Sequence, residues 1–137
     1  RYADDIATTM KQLGWVSGAF TIEAVYRWIT DGTVQQIDLI KREDVARRQI
    51  IARKILQPYL ISSSEEACHL WLELPDNWDT KYFVEAAKQQ GVILAAGSAF
   101  GVNYVPNAVR ISLVSISHSK LEYSLRIIAS LLRTHIT

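Results

Sequence analysis

Apolar residues spaced three and four apart open the chain. Ile6, Met10 and Leu13 fall on one helical face, and Gly14 follows as a stop. A second helix is predicted from about Phe20 to Asp31, with Ile22, Val25, Tyr26 and Ile29 facing inward. Gly32 ends it in the left-handed position that follows many helices. Thr33-Val34-Gln35-Gln36 fits a capping box, in which Thr33 and Gln36 satisfy each other's free amides. A long helix follows to about Gln57, where Pro58 stops it. Its inner positions are poorly periodic. Ile37 and Ile40 lead one face, whereas Val45, Ala52 and Leu56 mark another, so a bend or packing on two sides is expected.

Beyond Pro58 the period changes from helical to alternating. Cys68, Leu70, Leu72 and Leu74 share one face of a predicted strand, which Pro75-Asp76-Asn77 breaks. Asp79 can cap a helix through Gln90, with Gly91 past its end. Val92 to Ala95 reads as a short apolar strand, Gly97 to Pro106 as a loop holding Gly101 and Asn103, and Ala108 to Val114 as another strand. Ser119-Lys120-Leu121-Glu122 is a second capping box. It opens a terminal helix whose stripe is Leu121, Leu125, Ile128 and Leu132. Strands interleaved with helices predict a two-layer α/β (α+β) unit at residues 59–137, preceded by a helical segment at 1–58.

Composition narrows the classes. With 137 residues, 49% of them hydrophobic, the chain can form one or two small packed units. A net charge of +1 gives no general attraction to nucleic acid, so DNA binding is expected outside this stretch. One cysteine, Cys68, excludes an internal disulfide and a cysteine-rich zinc site, and the natural reading is a reducing, cytoplasmic compartment. No apolar run approaches the roughly 20 residues that cross a bilayer, so no membrane partner is expected. The first residues do not form a signal peptide, and the missing initial Met points to a fragment.

Four strings carry a family resemblance, and they occur in order along nearly the whole chain. His69-Leu70-Trp71-Leu72-Glu73-Leu74-Pro75 is similar to the "HLWLxLP" strand of MocR-type GntR transcription regulators. Gly91 to Phe100 is similar to their "GVxVxPGxxF", and Asn107 to Leu113 to their "NxLRLSF". Upstream, Arg42, Ala46-Arg47-Arg48-Gln49 and Leu56 resemble their long "RRxxL" helix. The sequence departs from the pattern at Ala96, where the family usually has proline. Glu66-Ala67 replaces the Gly-Gly of many true aminotransferases, and that change favours the regulator branch, as does His69.

The resemblance implies the C-terminal third of a fold type I, pyridoxal-phosphate (PLP) aminotransferase domain. Residues 1–58 would end the large domain and supply the linking helix, and 59–137 would be the small C-terminal domain. It also implies a homodimer, an amino acid or amine effector, and DNA contact only through a separate N-terminal domain. The family's Schiff-base lysine lies upstream of everything in this chain. No catalytic residue, no metal site and no covalently held PLP are therefore expected here. Ser117-His118-Ser119-Lys120 mimics the lysine string, but Lys120 falls in the last capping box, well after the "NxLRLSF" match.

Arg110 is the candidate substrate-binding residue. The resemblance makes it the clamp for an α-carboxylate, and a guanidinium suits that role with two parallel donors. The plainer reading is a strand arginine that faces solvent or pairs with Glu73. The other candidates read as structural. His69 is expected to be half buried on its strand, His118 and His135 to be surface residues near the ends of the last helix, and Cys68 to be a core thiol. Lys41, Arg42, Arg47, Arg48, Arg53 and Lys54 encircle their helix, which reads as solvated. Trp15, Trp28, Trp71 and Trp78 are too scattered for a stacking platform and read as core or interface anchors. The Gly97-to-Gly101 loop lacks the spacing of a phosphate cradle.

Three functions stay open on these residues: an effector-sensing domain of a PLP-dependent regulator, part of a working aminotransferase, or a dimerisation module without cofactor chemistry. The lysine assignment makes a first prediction. The chain purified alone should stay colourless with PLP and form no borohydride-reducible lysine adduct. Mass spectrometry after reduction checks this, and a stoichiometric adduct on one lysine would contradict it.

Overall fold

The computed structural model describes residues 2–12, 14, 18–59, 61–101 and 105–134. Leu13, Trp15, Asn103 and His135, singled out above, lie outside the described residues. The chain divides into two compact units, 1–40 and 41–137.

The first unit holds helices α1 (Tyr2–Gln12) and α2 (Ala19–Thr30) and the opening turns of α3 (Thr33–Leu56). Gly14 and Gly32 adopt φ of +69° and +85°, the left-handed conformation expected of glycines that end helices. The expected inward face of α2 is not buried. Ile22, Val25, Tyr26 and Ile29 are all exposed, and neither α1 nor α2 buries any residue. A helix hides its apolar stripe only against a second layer, and among the described residues none covers these positions. The expected capping box at Thr33 is also replaced. The Asp31 carboxylate accepts the Thr33 backbone N–H at 2.9 Å. Hydrogen bonds from the Thr33 side chain and backbone hold that carboxyl below its usual range.

In the second unit, α3 buries Val45, Arg48, Gln49, Ala52 and Leu56. That spacing is one helical stripe, confined to the second half of the helix, and Ile37 and Ile40 are exposed. The expected packing on two sides is therefore not found. Two of the five stripe positions are polar, which is why apolar periodicity could not trace it.

Four antiparallel strands follow in the order β1-β2-β4-β3. They are β1 (Ile61–Ser62), β2 (His69–Glu73), β3 (Ala95–Ala96) and β4 (Ala108–Ser112). With only two residues, β1 is too short to show an alternating pattern and was not expected. Between β2 and β3 lies α4 (Thr80–Gln89), and α5 (His118–Thr134) closes the fold. Leu70, Leu72, Val109 and Ile111 point from the sheet into one core, with Phe83 and Ala87 of α4 and Leu121, Leu125, Ile128 and Leu132 of α5. The helices thus form one layer on one sheet face, the expected two-layer unit. Trp78 and Phe83 meet edge to face within it, ring centres 5.1 Å apart.

Helix ends show how local chemistry sets the boundaries. Asp79 caps α4 as expected, accepting the Lys81 backbone N–H at 2.8 Å. The cap of α5 lies two residues earlier than the sequence implied. Ser117 Oγ accepts the Lys120 N–H at 3.4 Å, and Glu122 pairs forward with Arg126 at 2.6 Å instead of reaching back. Lys120 still falls in the first turn of the last helix, exposed to solvent. Cys68 corrects another expectation. It precedes β2 instead of joining its apolar face, and its thiol is exposed.

One member of the basic helix segment is not solvated. Arg48 is 8% exposed. It bonds Asp44 through Nε at 2.6 Å and donates from Nη1 to the carbonyls of Leu113 (2.8 Å) and Ile116 (2.6 Å). Asp44 also meets His118 Nε2 at 2.6 Å. The Arg48 hydrogen bond, aided by His118, holds the Asp44 carboxyl below its usual range against desolvation. The long helix is thereby fastened to the turn between β4 and α5.

Arg48→Ala would leave two carbonyls without their donor and should cost about 3 kcal/mol, the scale for breaking a buried charged pair; urea denaturation measures it. The depressed Asp44 pKa adds stability that is fully present at neutral pH. It is lost only as pH falls below about 4 and through the still lower folded value. Asp44→Asn should therefore flatten the acid limb of the stability curve. An unchanged acid limb would contradict the assignment.

Candidate functional site

The sheet has a second face, and the strand register decides what stands on it. Residues directly opposite in antiparallel strands share a face. Trp71 on β2 pairs with Arg110 on β4, and Arg110 pairs with Ala95 on β3. His69 pairs with Ser112 on the same side. Their strand neighbours Leu70, Val109 and Ile111 fill the core, so alternation turns Trp71 and Arg110 away from it.

Arg110 is half buried. Its guanidinium carbon lies over the Phe100 ring, 4.2 Å from the ring centre. Phe100 in turn meets Trp71 edge to face, with centres 5.4 Å apart and planes at 88°. The three side chains form a shelf with one positive charge on it. Glu73 shares this side of β2 yet forms no ion pair with Arg110, and among the described residues the guanidinium has no carboxylate partner. Of the two plainer readings, a pair with Glu73 is not found among the described residues, and Arg110 stands partly exposed on the face turned away from the core, against Phe100.

A tight turn delivers Phe100 to the shelf. Gly97–Ala99 makes one 3₁₀ turn, closed by the Phe100 N–H on the Gly97 carbonyl at 3.0 Å. A Cβ on Gly97 would stand 2.8 Å from the carbonyl oxygens of both Ala108 and Pro106, so only glycine fits. Ala96, which replaces the resembling family's proline, has φ −66° and ψ 145°, a conformation that proline itself adopts. Asn107 anchors the start of β4. It accepts from Thr80 Oγ1 at 2.7 Å, and its Nδ2 donates to the Trp78 carbonyl at 2.8 Å.

Of the residues weighed from sequence, Arg110 and His69 share this face, and His69 is half buried as expected. His118 is on the surface at the head of α5. Trp78 is a core anchor, Trp28 is exposed, and Trp71 belongs to the shelf instead of the core. Trp71 and Phe100 were missed as site residues. Alternation placed Trp71 opposite the core face, but only the pairing register sets it beside Arg110. Phe100 closes the string similar to "GVxVxPGxxF", but only the turn at Gly97 carries its ring to the shelf. All six lysines of the chain are exposed. No group of acidic, histidine or cysteine side chains suited to a metal is found among the described residues. A cavity of about 910 Å³ opens between the start of α4 and residues 105–107, and Arg110 does not line it.

No family model and no curated protein sequence matches this chain. Solved structures do. The chain is similar to a valine-pyruvate aminotransferase from Salmonella typhimurium LT2, with 19% identity over 95% of this chain and 37% of that one (TM-score 0.76). It is also similar to a kynurenine aminotransferase from Pyrococcus horikoshii, solved with PMP, with 20% identity over 82% of this chain and 29% of that one (TM-score 0.72). A third is an α-aminoadipate aminotransferase from Thermus thermophilus, complexed with N-(5'-phosphopyridoxyl)-L-leucine, with 16% identity over 82% and 30% (TM-score 0.69). The chain spans at most 37% of the length of these three proteins and has an aminotransferase-like fold. Among the described residues no helix is long and apolar enough to cross a membrane.

The turn at Gly97 makes a prediction about the shelf. Gly97→Ala should lower stability by about 1–3 kcal/mol, the usual cost of overpacking, and displace Phe100. Near-ultraviolet circular dichroism would report the change around Trp71. A wild-type spectrum and melting point would show that the contact is not tight.

Proposed function

We propose that this chain is the C-terminal part of an aminotransferase-like domain in a PLP-dependent protein, and that Arg110 receives the α-carboxylate of its amino-acid ligand. The observation that carries the reading is the state of Arg110. It is half buried on an aromatic shelf, with no carboxylate of its own among the described residues. A charge so placed is ready for an external planar anion, and a guanidinium fork matches a carboxylate with two parallel bonds. On this reading residues 59–137 are the small domain, and residues 1–58 end the large domain and link the two.

PLP supplies an electron sink for chemistry on the amine. The residues of this chain would serve the ligand's other end, and the cofactor lysine would lie earlier in the parent protein. For the parent we favour the effector-sensing domain of a MocR-type GntR transcription regulator. In such a dimer, a bound amino acid or amine would alter DNA contact by a separate N-terminal domain. The four ordered strings, Glu66-Ala67 and His69 support it. The second reading, part of a working aminotransferase, is supported by the similar solved structures. Steady turnover of an amino acid and a keto acid by the full-length protein would decide for the second.

Truncating one partner of a desolvated charged pair costs on the order of 2–5 kcal/mol. Arg110→Ala in the full-length, PLP-loaded protein should therefore weaken amino-acid binding by about 30-fold or more, with folding and PLP content unchanged. Arg110→Lys should recover only part of the loss, because an ammonium cannot reproduce the two-pronged geometry. Absorbance titration with amino acids measures both. Wild-type affinity in the alanine variant would refute the assignment.

A further inference from the structure

We propose that Phe100, braced edge-on by Trp71, is a positioning residue that holds the plane of the Arg110 guanidinium for an incoming carboxylate. The inference rests on the reading of Arg110 as the carboxylate receptor. An arginine side chain is long and loses much rotamer freedom when a ligand fixes it. A guanidinium donates only in its own plane. A ring lying on its flat face therefore blocks no donor, yet removes one side from water and limits the tilt of the fork. Phe100 is placed to do this, with the Arg110 carbon 4.2 Å from its ring centre.

The brace is itself held from two directions. Trp71 stands on the strand position directly opposite Arg110, so the register that places the charge also places the indole. The Gly97 turn closes on the Phe100 N–H, fixing the backbone from which the ring projects. On the neighbouring strand Arg110 pairs with Ala95, a small side chain. Phe100 is 44% exposed and outside the hydrophobic core. A core-packing role does not account for an aromatic ring at this position. Pre-setting a binding group in its bound geometry raises affinity by lowering the ordering cost of binding.

The test uses the full-length, PLP-loaded protein and calorimetry. The twenty common L-amino acids are screened, and the tightest binder is carried forward with the amine that lacks its carboxylate. Phe100→Leu should weaken the amino acid by about threefold to tenfold, the range of a cation–π contact, and leave the amine unchanged. Phe100→Tyr should restore wild-type affinity. In an Arg110→Ala background, Phe100→Leu should have no further effect, because the two act through one contact. Equal weakening of the amine would assign Phe100 a general structural role and overturn the proposal. So would Phe100→Leu binding like wild type while Arg110→Ala binds weakly, and that result would leave the Arg110 assignment standing. If Arg110→Ala binds like wild type, or no amino acid binds, the underlying reading fails and this one with it. A measurement free of any variant guards against misfolding. The Arg110 side-chain N–H resonances of the wild-type protein should be shifted upfield by the Phe100 ring, and their absence from that region would also overturn the proposal.

Discussion

A slip of one residue between β2 and β4 would turn Arg110 into the core and send Val109 and Ile111 out to water. The observed register prevents this by pairing Leu70 with Ile111 and Leu72 with Val109 on the helix side. Trp71 and Arg110 are then carried together to the other side. All four aliphatic residues are 5% exposed or less. Burying side chains of this size contributes roughly 1.5–3 kcal/mol each, whereas burying an unpaired guanidinium costs several kcal/mol. Both terms favour the same register, so the packing that stabilises the sheet also assembles the shelf. Site and core are two faces of one constraint.

The second organising feature is a charge inside the helix layer. Arg48 satisfies the carbonyls of Leu113 and Ile116, which follow β4, and Asp44 compensates its charge while meeting His118 at the start of α5. Buried ion pairs contribute little net stability against a well-packed apolar substitute. Arg48 matters for the direction it imposes, because its donors specify how the end of β4 and the start of α5 meet the long helix. Gln49 works beside it. Its Nε2 bonds Ser63 Oγ at 2.7 Å and the Ala67 carbonyl at 2.6 Å, tying the segment before β2 to the same helix.

Where one residue type dominated a face, the sequence was legible. The stripe of α5, the alternation of β2 and the Asp79 cap all follow from period and local chemistry, and the structure has them. The long helix was harder to read because Arg48 and Gln49 occupy its buried stripe, and a hydrophobic pattern cannot register polar residues satisfied by distant backbone. The caps at Thr33 and Ser119 were misplaced because oxygens two residues earlier cap instead: Asp31 takes the Thr33 amide and Ser117 takes the Lys120 amide. Cys68 was assigned to a strand that begins one residue later. At the site, Arg110 was reached through its motif, and alternation gave its face. Its partners needed the strand register and the Gly97 turn, which are three-dimensional facts.

Everything proposed for the site turns on whether Arg110, held on its aromatic shelf, takes the carboxylate of an amino acid in the intact protein. The most direct measurement is a crystal structure of the full-length, PLP-loaded protein soaked with the amino acid that binds it. Both carboxylate oxygens should lie within about 3 Å of Arg110 nitrogens, with the Phe100 ring still lying on the guanidinium face. A carboxylate bound to some other cation, with Arg110 facing solvent, would contradict it.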